Sequence, residues 1–188
     1  MKIGVMGAKG SFSEEAGRVY AKKYLKKTVF SIEYLITPER TLIALENGEI
    51  DLAILAIENS TMGVVMVTVH AMAAHRFKIE RVFPIDVRHY LLVLPGLKKS
   101  QVKIIVSQDP AIQQCRNYLK RKWPKTKIRL YPDTAKAAAD LASGKLPKEC
   151  AVIASRAAAQ VYGLDILESG IQDLKHNATS FIAARRLK

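Results

Sequence analysis

The stretch Asp51-Leu-Ala-Ile-Leu-Ala-Ile-Glu-Asn-Ser60 decides the fold of this chain of 188 residues. Residues 51–57 are typical of a strand, and they are so apolar that both faces of the strand should be covered by helices. The run then ends abruptly in Glu58, Asn59 and Ser60. We therefore predict a central strand of an α/β sheet with polar side chains at its carboxyl end.

Short apolar runs alternate with amphipathic helical stretches on both sides of this strand, as in α/β proteins. The β-type stretch 79–94, interrupted by Pro84, indicates a crossing into a second lobe. The other predicted strands are 2–6, 30–36, 102–106, 128–131, 151–154 and 181–184, and the predicted helices are 11–25, 37–48, 64–74, 110–120, 134–143 and 155–161. We predict two lobes of mainly parallel sheet flanked by helices, lobe 1 at about 1–75 with 171–188 and lobe 2 at about 76–170.

The charge and the cysteines limit the classes of partner. Thirty Lys and Arg against 17 Asp and Glu give a formal charge of +13, which admits an anionic substrate as readily as nucleic acid. The basic clusters are scattered and carry no aromatic RNP pattern or helix-turn-helix pattern, so we expect no nucleic-acid partner. Cys115 and Cys150 fit no CxxC motif and are interpreted as buried small hydrophobic residues in a reducing cytosol.

No membrane partner is expected from the sequence. The longest apolar run, 52–57, is far shorter than a membrane span, and the glycines after Met1 leave no room for the apolar core of a signal peptide. We therefore expect a cytoplasmic protein.

Polar residues follow several predicted strands, where ligands bind in open α/β sheets. They are Ser11, Ser13, Glu58, Asn59, Ser60, Ser107, Gln108, Thr134 and Ser155. Each could be only a helix cap, but together they outline a cleft lined with donors that suits a carboxylate ligand. The chain has no GxGxxG, GxxxxGK[ST] or GxSxG motif, and its histidines do not have metal-ligand spacing. The residues by themselves indicate an α/β anion-binding domain.

Six segments at these positions resemble, in order, the motifs of the prephenate dehydratase family. The most specific match is Ile57-Glu-Asn-Ser-Thr-Met-Gly-Val64, which resembles I-E-N-S-x-x-G. The others are Gly7-Ala-Lys-Gly-Ser-Phe-Ser-Glu-Glu-Ala16, Ser107-Gln-Asp-Pro-Ala-Ile-Gln-Gln-Cys115, Asp133-Thr-Ala-Lys-Ala-Ala138, the segment 151–173 and Asn177-Ala-Thr-Ser-Phe181. The resemblance covers nearly the whole chain.

The resemblance implies a fold like the type 2 periplasmic binding proteins, with the active site in the cleft between the lobes. It implies a hydro-lyase that converts prephenate, a dicarboxylate, into phenylpyruvate for L-phenylalanine biosynthesis, with no metal or cofactor. The family's threonine falls on Thr179, whose hydroxyl would donate to the leaving oxygen. The substrate-binding positions implied or proposed around it are Asn59, Ser60, Ser107, Gln114, Ser11, Phe181 and Lys9.

Two departures from the family pattern bear on the substrate. The arginine of T-R-F is Ser180 here, and S-H-P reads Ser107-Gln-Asp109. We hypothesise that Lys9, Arg185 or Arg186 supplies the missing positive charge. The chain ends seven residues after Phe181, so the family's phenylalanine-sensing ACT domain, and with it feedback regulation within the chain, is not expected. The family also implies a homodimer or a larger homo-oligomer.

Three other functions stay open on the sequence. One is an enzyme that decarboxylates prephenate without aromatising it, a reading that the retained Thr179 disfavours. Another is a non-catalytic protein of the same fold that binds a small anion. A nucleic-acid binder comes last. The sequence does not distinguish prephenate from its amino analogue arogenate.

Overall fold

The computed structural model describes residues 1–26 and 28–187, so that Lys27 and Lys188, the predicted last residue of lobe 1, lie outside the described residues. The elements in chain order are β1 (Lys2–Val5), α1 (Phe12–Tyr24), β2 (Ser31–Tyr34), α2 (Pro38–Glu46), β3 (Leu52–Asn59), β4 (Gly63–Val64), α3 (Met66–Ala74), β5 (Phe77–Asp86), β6 (Tyr90–Val93), a 3-10 turn (Lys99–Gln101), β7 (Ile104–Ser107), α4 (Asp109–Gln114), α5 (Arg116–Lys122), β8 (Lys127–Leu130), α6 (Thr134–Ala142), β9 (Cys150–Ala154), α7 (Arg156–Tyr162), β10 (Asp165–Ser169) and β11 (Ala178–Arg186). The predicted alternation of strands and helices is confirmed.

The chain divides into two compact units. Unit 1 comprises residues 1–8, 12–86 and 178–188, and unit 2 comprises residues 9–11 and 87–177. The first boundary therefore follows Asp86, not residue 75 as predicted, and the chain returns to unit 1 at Ala178, not at residue 171. The reason is that β5 pairs with β11 along its whole length, from Asp86 opposite Ala178 to Phe77 opposite Arg186, and so belongs to the sheet of unit 1.

The sheet of unit 1 has the order β2-β1-β3-β11-β5, with β4 paired to β3. The three strands β2, β1 and β3 are parallel, and β11 is antiparallel to both of its neighbours. Because β3 lies inside this sheet, residues 52–55 are completely buried, as their apolar sequence predicts. The predicted return of the tail to the first lobe is confirmed by β11.

Both faces of β11 are packed in unit 1. Phe181 and Ala183 belong to the cluster under α1, where the Phe181 ring lies 6.1 Å from that of Phe83. Ile182 and Ala184 belong to the cluster on the opposite face, with residues of α2 and α3. This double burial fixes which face each β11 side chain takes, since a slip of one residue would exchange the two faces.

Unit 2 is built around a sheet of order β10-β6-β9-β7-β8. The pairs β7–β8 and β7–β9 are parallel, whereas β6 is antiparallel to β9 and β10. Over the described residues both sheets are therefore mixed and not mainly parallel as predicted, because the antiparallel strands β11 and β6 lie inside them. All five residues of β9 are buried between two apolar clusters, and the two cysteines are completely buried and free. The interpretation of the cysteines as buried hydrophobic residues is confirmed.

The predicted helix 110–120 is two helices, which is a correction. Helix α4 ends at Gln114 and α5 starts at Arg116, with Cys115 between them in a non-helical conformation. The Asp173 carboxylate accepts from Asn117 N and from Tyr118 N, each at 2.8 Å, and so caps a new helix start. No local pattern predicts this break, because the capping residue is more than 50 positions away.

Replacement of Phe181 by alanine should destabilise unit 1 through loss of core packing. The side chain is 1% exposed, and truncation of a buried phenylalanine costs about 3–5 kcal/mol. Urea unfolding of Phe181→Ala measures this change. Val82→Ala, in the neighbouring strand where the side chain is 57% exposed, is the control and should lose about 1 kcal/mol or less. Equal losses in the two variants would contradict this placement of Phe181.

Candidate active site

The polar residues of unit 1 meet at one edge of its sheet. The parallel strands β1 and β3 end there, and the antiparallel strand β11 begins there. Asn59 is the last residue of β3 and is paired with Thr179, the second residue of β11. Next to this pair the register between β3 and β11 shifts, at Ser180 and Phe181 of β11. Such bulges redirect side chains near functional sites.

The Asn59 carboxamide connects the turn after β3 to β11. Its oxygen accepts from Thr61 N at 3.0 Å, from Thr61 Oγ1 at 2.7 Å and from Met62 N at 3.0 Å. Its nitrogen donates to Thr179 Oγ1 at 2.9 Å and to the Ala178 carbonyl oxygen at 3.3 Å. The three donors around the oxygen determine the orientation of the amide, so the nitrogen is the atom that faces Thr179.

The Thr179 hydroxyl is therefore oriented as a donor. Its oxygen accepts from the Asn59 amide, and the residue is 8% exposed. Within residues 1–26 and 28–187 the hydroxyl has no second hydrogen-bond partner, which leaves its proton for an oxygen of a ligand. A hydroxyl that accepts one hydrogen bond becomes a somewhat stronger donor in the next, because the two bonds polarise each other.

Ser60 and Phe181 have structural contacts in unit 1. Ser60 Oγ accepts from Ala178 N at 3.0 Å, and Ser60 N donates to the Ala178 carbonyl at 2.8 Å, so the residue joins the two strand ends. Phe181 lies in the core under α1 and is 1% exposed. Contact of either residue with substrate stays a prediction, and for Phe181 the burial does not support it.

The two arginines proposed to replace the family arginine lie at the wrong end of β11. Arg185 and Arg186 are six and seven positions after Thr179, about 20 Å away at the rise of a strand. Arg185 Nε donates to Glu80, and the guanidinium of Arg186 lies over Gly48. This hypothesis is therefore wrong for both arginines, because an extended strand carries them to the opposite edge of the sheet.

Ser107 and Ser155 are hydrogen-bonded within unit 2. Ser107 is completely buried at the end of β7, and its hydroxyl donates to the Ile153 carbonyl at 2.7 Å, which links β7 to β9. Ser155 caps α7 by accepting from Ala158 N at 2.9 Å. Ser155 thus has the capping role that its position predicts, and substrate contact by Ser107 stays a prediction.

The loop of Lys9, Gly10 and Ser11 belongs to unit 2. The carbonyl of Lys9 accepts from the Tyr162 hydroxyl at 2.8 Å, and that of Gly10 accepts from Ser155 Oγ at 2.6 Å. Gly10 has a φ of +83°, and a Cβ there would lie 2.9 Å from the Cα of Ala158, so only glycine fits. Ser11 is 6% exposed, whereas Lys9 is exposed.

Gln114, at the end of α4, is held by two residues that sequence analysis did not select. Its Oε1 lies 2.5 Å from His89 Nε2 and accepts from Asn177 Nδ2 at 2.9 Å. Asn177 is part of the segment that matches N-x-T, so a signal for it was present. His89 had none, because an isolated histidine is more often structural and its contact with Gln114 spans 25 positions.

Among residues 1–26 and 28–187 no group of three or more His, Cys, Asp or Glu side chains could hold a metal ion. Nor does any helix within that part combine the length and the apolar character needed to cross a bilayer.

An α/β chain with buried hydroxyl and carboxamide donors at the strand ends of both units is of the class that binds small polar ligands. The profile of the prephenate dehydratase family matches residues 3–188. The chain belongs to this family, as its motifs predict.

Named relatives agree with the family. The chain is 32% identical over 188 residues to arogenate dehydratase/prephenate dehydratase 6, chloroplastic, of Arabidopsis thaliana, which is 99% of this chain and 43% of the relative. It is 30% identical over 183 residues to prephenate dehydratase of Lactococcus lactis, which is 96% of this chain and 62% of the relative. The chain thus spans less than half the length of the plant relative.

Solved structures confirm the predicted fold. Prephenate dehydratase from Arthrobacter aurescens in complex with L-Phe matches with a TM-score of 0.89 and 26% identity, over 100% of this chain and 61% of that one. A periplasmic substrate-binding protein of an ABC transporter from Coxiella burnetii matches with a TM-score of 0.50 and 15% identity, over 99% of this chain and 84% of that one. The second likeness concerns the fold alone.

The burial of His89 should make the stability of the protein depend on pH. Burial lowers the pKa of its ring, and the bond to Gln114 offsets only part of this effect. The unfolded histidine binds a proton below about pH 6.5 while the folded one resists it, so stability should fall with pH below that value. Urea unfolding should therefore show the wild type losing stability relative to His89→Gln between about pH 8 and pH 5.

The comparison with His89→Gln isolates this histidine, since the other titrating groups are shared by both proteins and cancel. A stability difference that is constant over the same pH range would contradict the lowered pKa of His89.

Proposed function

We propose that this chain is a prephenate dehydratase, a hydro-lyase that converts prephenate into phenylpyruvate, carbon dioxide and water in L-phenylalanine biosynthesis. Membership of the family and the names of the relatives support the reaction class. The observation that carries the proposal is the 2.9 Å hydrogen bond from Asn59 Nδ2 to Thr179 Oγ1, which leaves the hydroxyl proton for a ligand.

The reaction requires little more than assistance to a leaving hydroxyl. The bond between the ring and its carboxylate breaks and its electron pair enters the ring, while the carbon–oxygen bond of the ring hydroxyl breaks on the far side. The hydroxyl takes up one proton and leaves as water, the carboxylate leaves as carbon dioxide, and the ring becomes aromatic. Because aromatisation makes the reaction strongly favourable, the enzyme chiefly has to orient the two leaving groups and stabilise charge on the departing oxygen.

Thr179 is proposed as the residue that assists the departing oxygen. A threonine hydroxyl is too weak an acid to be tuned near neutral pH, so donation of a hydrogen bond is expected more than full proton transfer. Asn59 holds the hydroxyl in place before the substrate arrives, so no reorganisation is needed during the reaction. The proton that completes the departing water molecule comes from solvent, and Thr179 keeps its own proton.

The carboxylates of the substrate are proposed to bind to neutral donors and one lysine. Gln114, Ser11 and Ser60 supply amide and hydroxyl groups, and Ser107 would do so only by giving up its bond to the Ile153 carbonyl. Phe181 is the remaining predicted contact. Ser180 removes the charge-assisted hydrogen bonds of the family arginine, which would each be worth about 1.5–3 kcal/mol. Lys9, exposed in its loop, is now the single candidate among the three named for the missing charge. The cleft between the lobes, as the place of binding, stays a prediction.

A cytoplasmic location and a homo-oligomer are part of the same proposal. Free, buried cysteines are typical of a reducing compartment. Helix α3 contains no charged Asp, Glu, Lys or Arg residue, yet Met66 and Val67 are 52% and 62% exposed. Exposed apolar helices of this kind are usual where a second protein surface covers them.

Incubation with prephenate tests the function directly. Appearance of the phenylpyruvate absorbance is the expected result. A decarboxylated product without an aromatic ring would favour the decarboxylase, and an unchanged substrate would favour an anion-binding protein. Arogenate is the second candidate substrate, because the Arabidopsis relative is named for both activities. Parallel assays with the two substrates compare kcat/KM.

Thr179→Ala should lower kcat by about 100- to 1000-fold, the usual loss when one preorganised donor to a departing or developing oxygen anion is removed. Thr179→Ser keeps the hydroxyl and is the matched control, which should retain activity within about tenfold. Steady-state kinetics with prephenate measure both variants. Full activity in Thr179→Ala would refute the proposed role of this residue.

Asn59→Asp should abolish most activity while preserving the strand end. The aspartate keeps Oδ1, which can still accept from Thr61 and Met62. The amide nitrogen that faces Thr179 is replaced by an oxygen, which can only accept. The hydroxyl proton would then be donated to this carboxylate instead of the substrate, and kcat should fall by about 100-fold or more. Circular dichroism monitors the fold, and a folded variant with unchanged kcat would contradict the proposed orientation of the hydroxyl.

A further inference from the structure

Both backbone groups of His89, the N–H and the carbonyl, are hydrogen-bonded within unit 2. His89 N donates to Gln172 Oε1 at 3.1 Å, and its carbonyl accepts from Ile171 N at 3.1 Å. The residue is 3% exposed, just before β6. The ring is therefore buried and anchored independently of the contacts of its own nitrogen atoms.

In the tautomer that carries its proton on Nε2, the His89 ring is a second donor to the oxygen of the Gln114 amide. His89 Nε2 lies 2.5 Å from Gln114 Oε1, and Asn177 Nδ2 donates to that oxygen at 2.9 Å. Asn177 is itself 2% exposed, and its carbonyl accepts from Val87 N at 2.7 Å, so it is anchored as well. An amide oxygen has two acceptor sites, and these two donors can occupy both.

The orientation of the Gln114 carboxamide follows from this pair of contacts. The amide oxygen of Gln114 points toward His89 and Asn177, so its Nε2 group points in the other direction. That group can only donate, so it suits a carboxylate or hydroxyl oxygen. If the amide turned over, it would place an acceptor oxygen there and repel such an anionic group.

We propose that His89 is a positioning residue, which together with Asn177 holds Gln114 in the orientation that presents N–H donors to an oxygen of the substrate. This inference rests on the proposed dehydratase function, in which Gln114 contacts the substrate and His89 does not. It assigns to a buried histidine a role in substrate affinity that acts through its neighbour.

Steady-state kinetics with prephenate test the role. His89→Leu fills the site but donates no hydrogen bond, so the Gln114 amide can turn, and KM should rise about tenfold or more. Because the leaving-group donor is unaffected, kcat should stay within about threefold. His89→Gln can place an N–H near the position of Nε2 and should bring KM back to within about threefold of the wild type. His176→Leu, at an exposed histidine of the same unit, is the matched control and should change neither constant.

A double-mutant cycle separates positioning from a merely structural effect. If His89 acts through Gln114, His89→Leu should raise KM no further in a Gln114→Met background. An equal rise in both backgrounds, or an unchanged KM in the folded His89→Leu variant, would overturn the proposal.

A second measurement does not depend on catalysis. In the ligand-free protein, the ¹⁵N-labelled side-chain amide of Gln114 should give nuclear magnetic resonance signals that shift in His89→Leu and are retained in His89→Gln, with Gln114→Met giving the assignment. Signals that His89→Leu leaves unchanged would overturn the positioning role. If the signals respond as expected but prephenate is not converted, the dehydratase function fails while the hold of His89 on Gln114 stands.

Discussion

The antiparallel pairing of β11 with β3 is the interaction on which the candidate site depends. It places Thr179 opposite Asn59 although 120 positions separate them, and the 2.9 Å hydrogen bond between their side chains follows from that register. The register is held by packing farther along β11, where Phe181 and Ile182 enter the cores on opposite faces. A one-residue slip would bury polar groups and at the same time separate the side chains of Asn59 and Thr179.

A comparable constraint operates within unit 2 through the segment 171–177. Its backbone pairs with His89, its Asp173 carboxylate starts α5, and its Asn177 side chain reaches Gln114. The break between α4 and α5 and the anchoring of Gln114 therefore have one origin. This explains why a short stretch without a helix or strand carries several residues of the family motifs: it connects parts of unit 2 that are distant in sequence.

Each of the two units contains oriented neutral groups. The Thr179 hydroxyl and the Gln114 amide are each held by a neighbouring carboxamide or imidazole, and Ser180 stands where the family has an arginine. Neutral donors that are fixed in advance stabilise developing charge without having to reorganise, whereas surface charges are screened by salt. The net charge of +13 can attract a dianion from a distance but does not orient it.

The sequence by itself determined the α/β class, most helix and strand positions, the family and the residues Asn59, Thr179 and Gln114, because apolar periodicity and short motifs are local properties. The boundary after Asp86, the break at Cys115, the distance of Arg185 and Arg186 from Thr179 and the contact of His89 with Gln114 were decided only by the tertiary structure. Each of these depends on strand register or on side chains that meet from distant positions. Such contacts have no local signal, since the energy that selects them comes from packing of the whole unit.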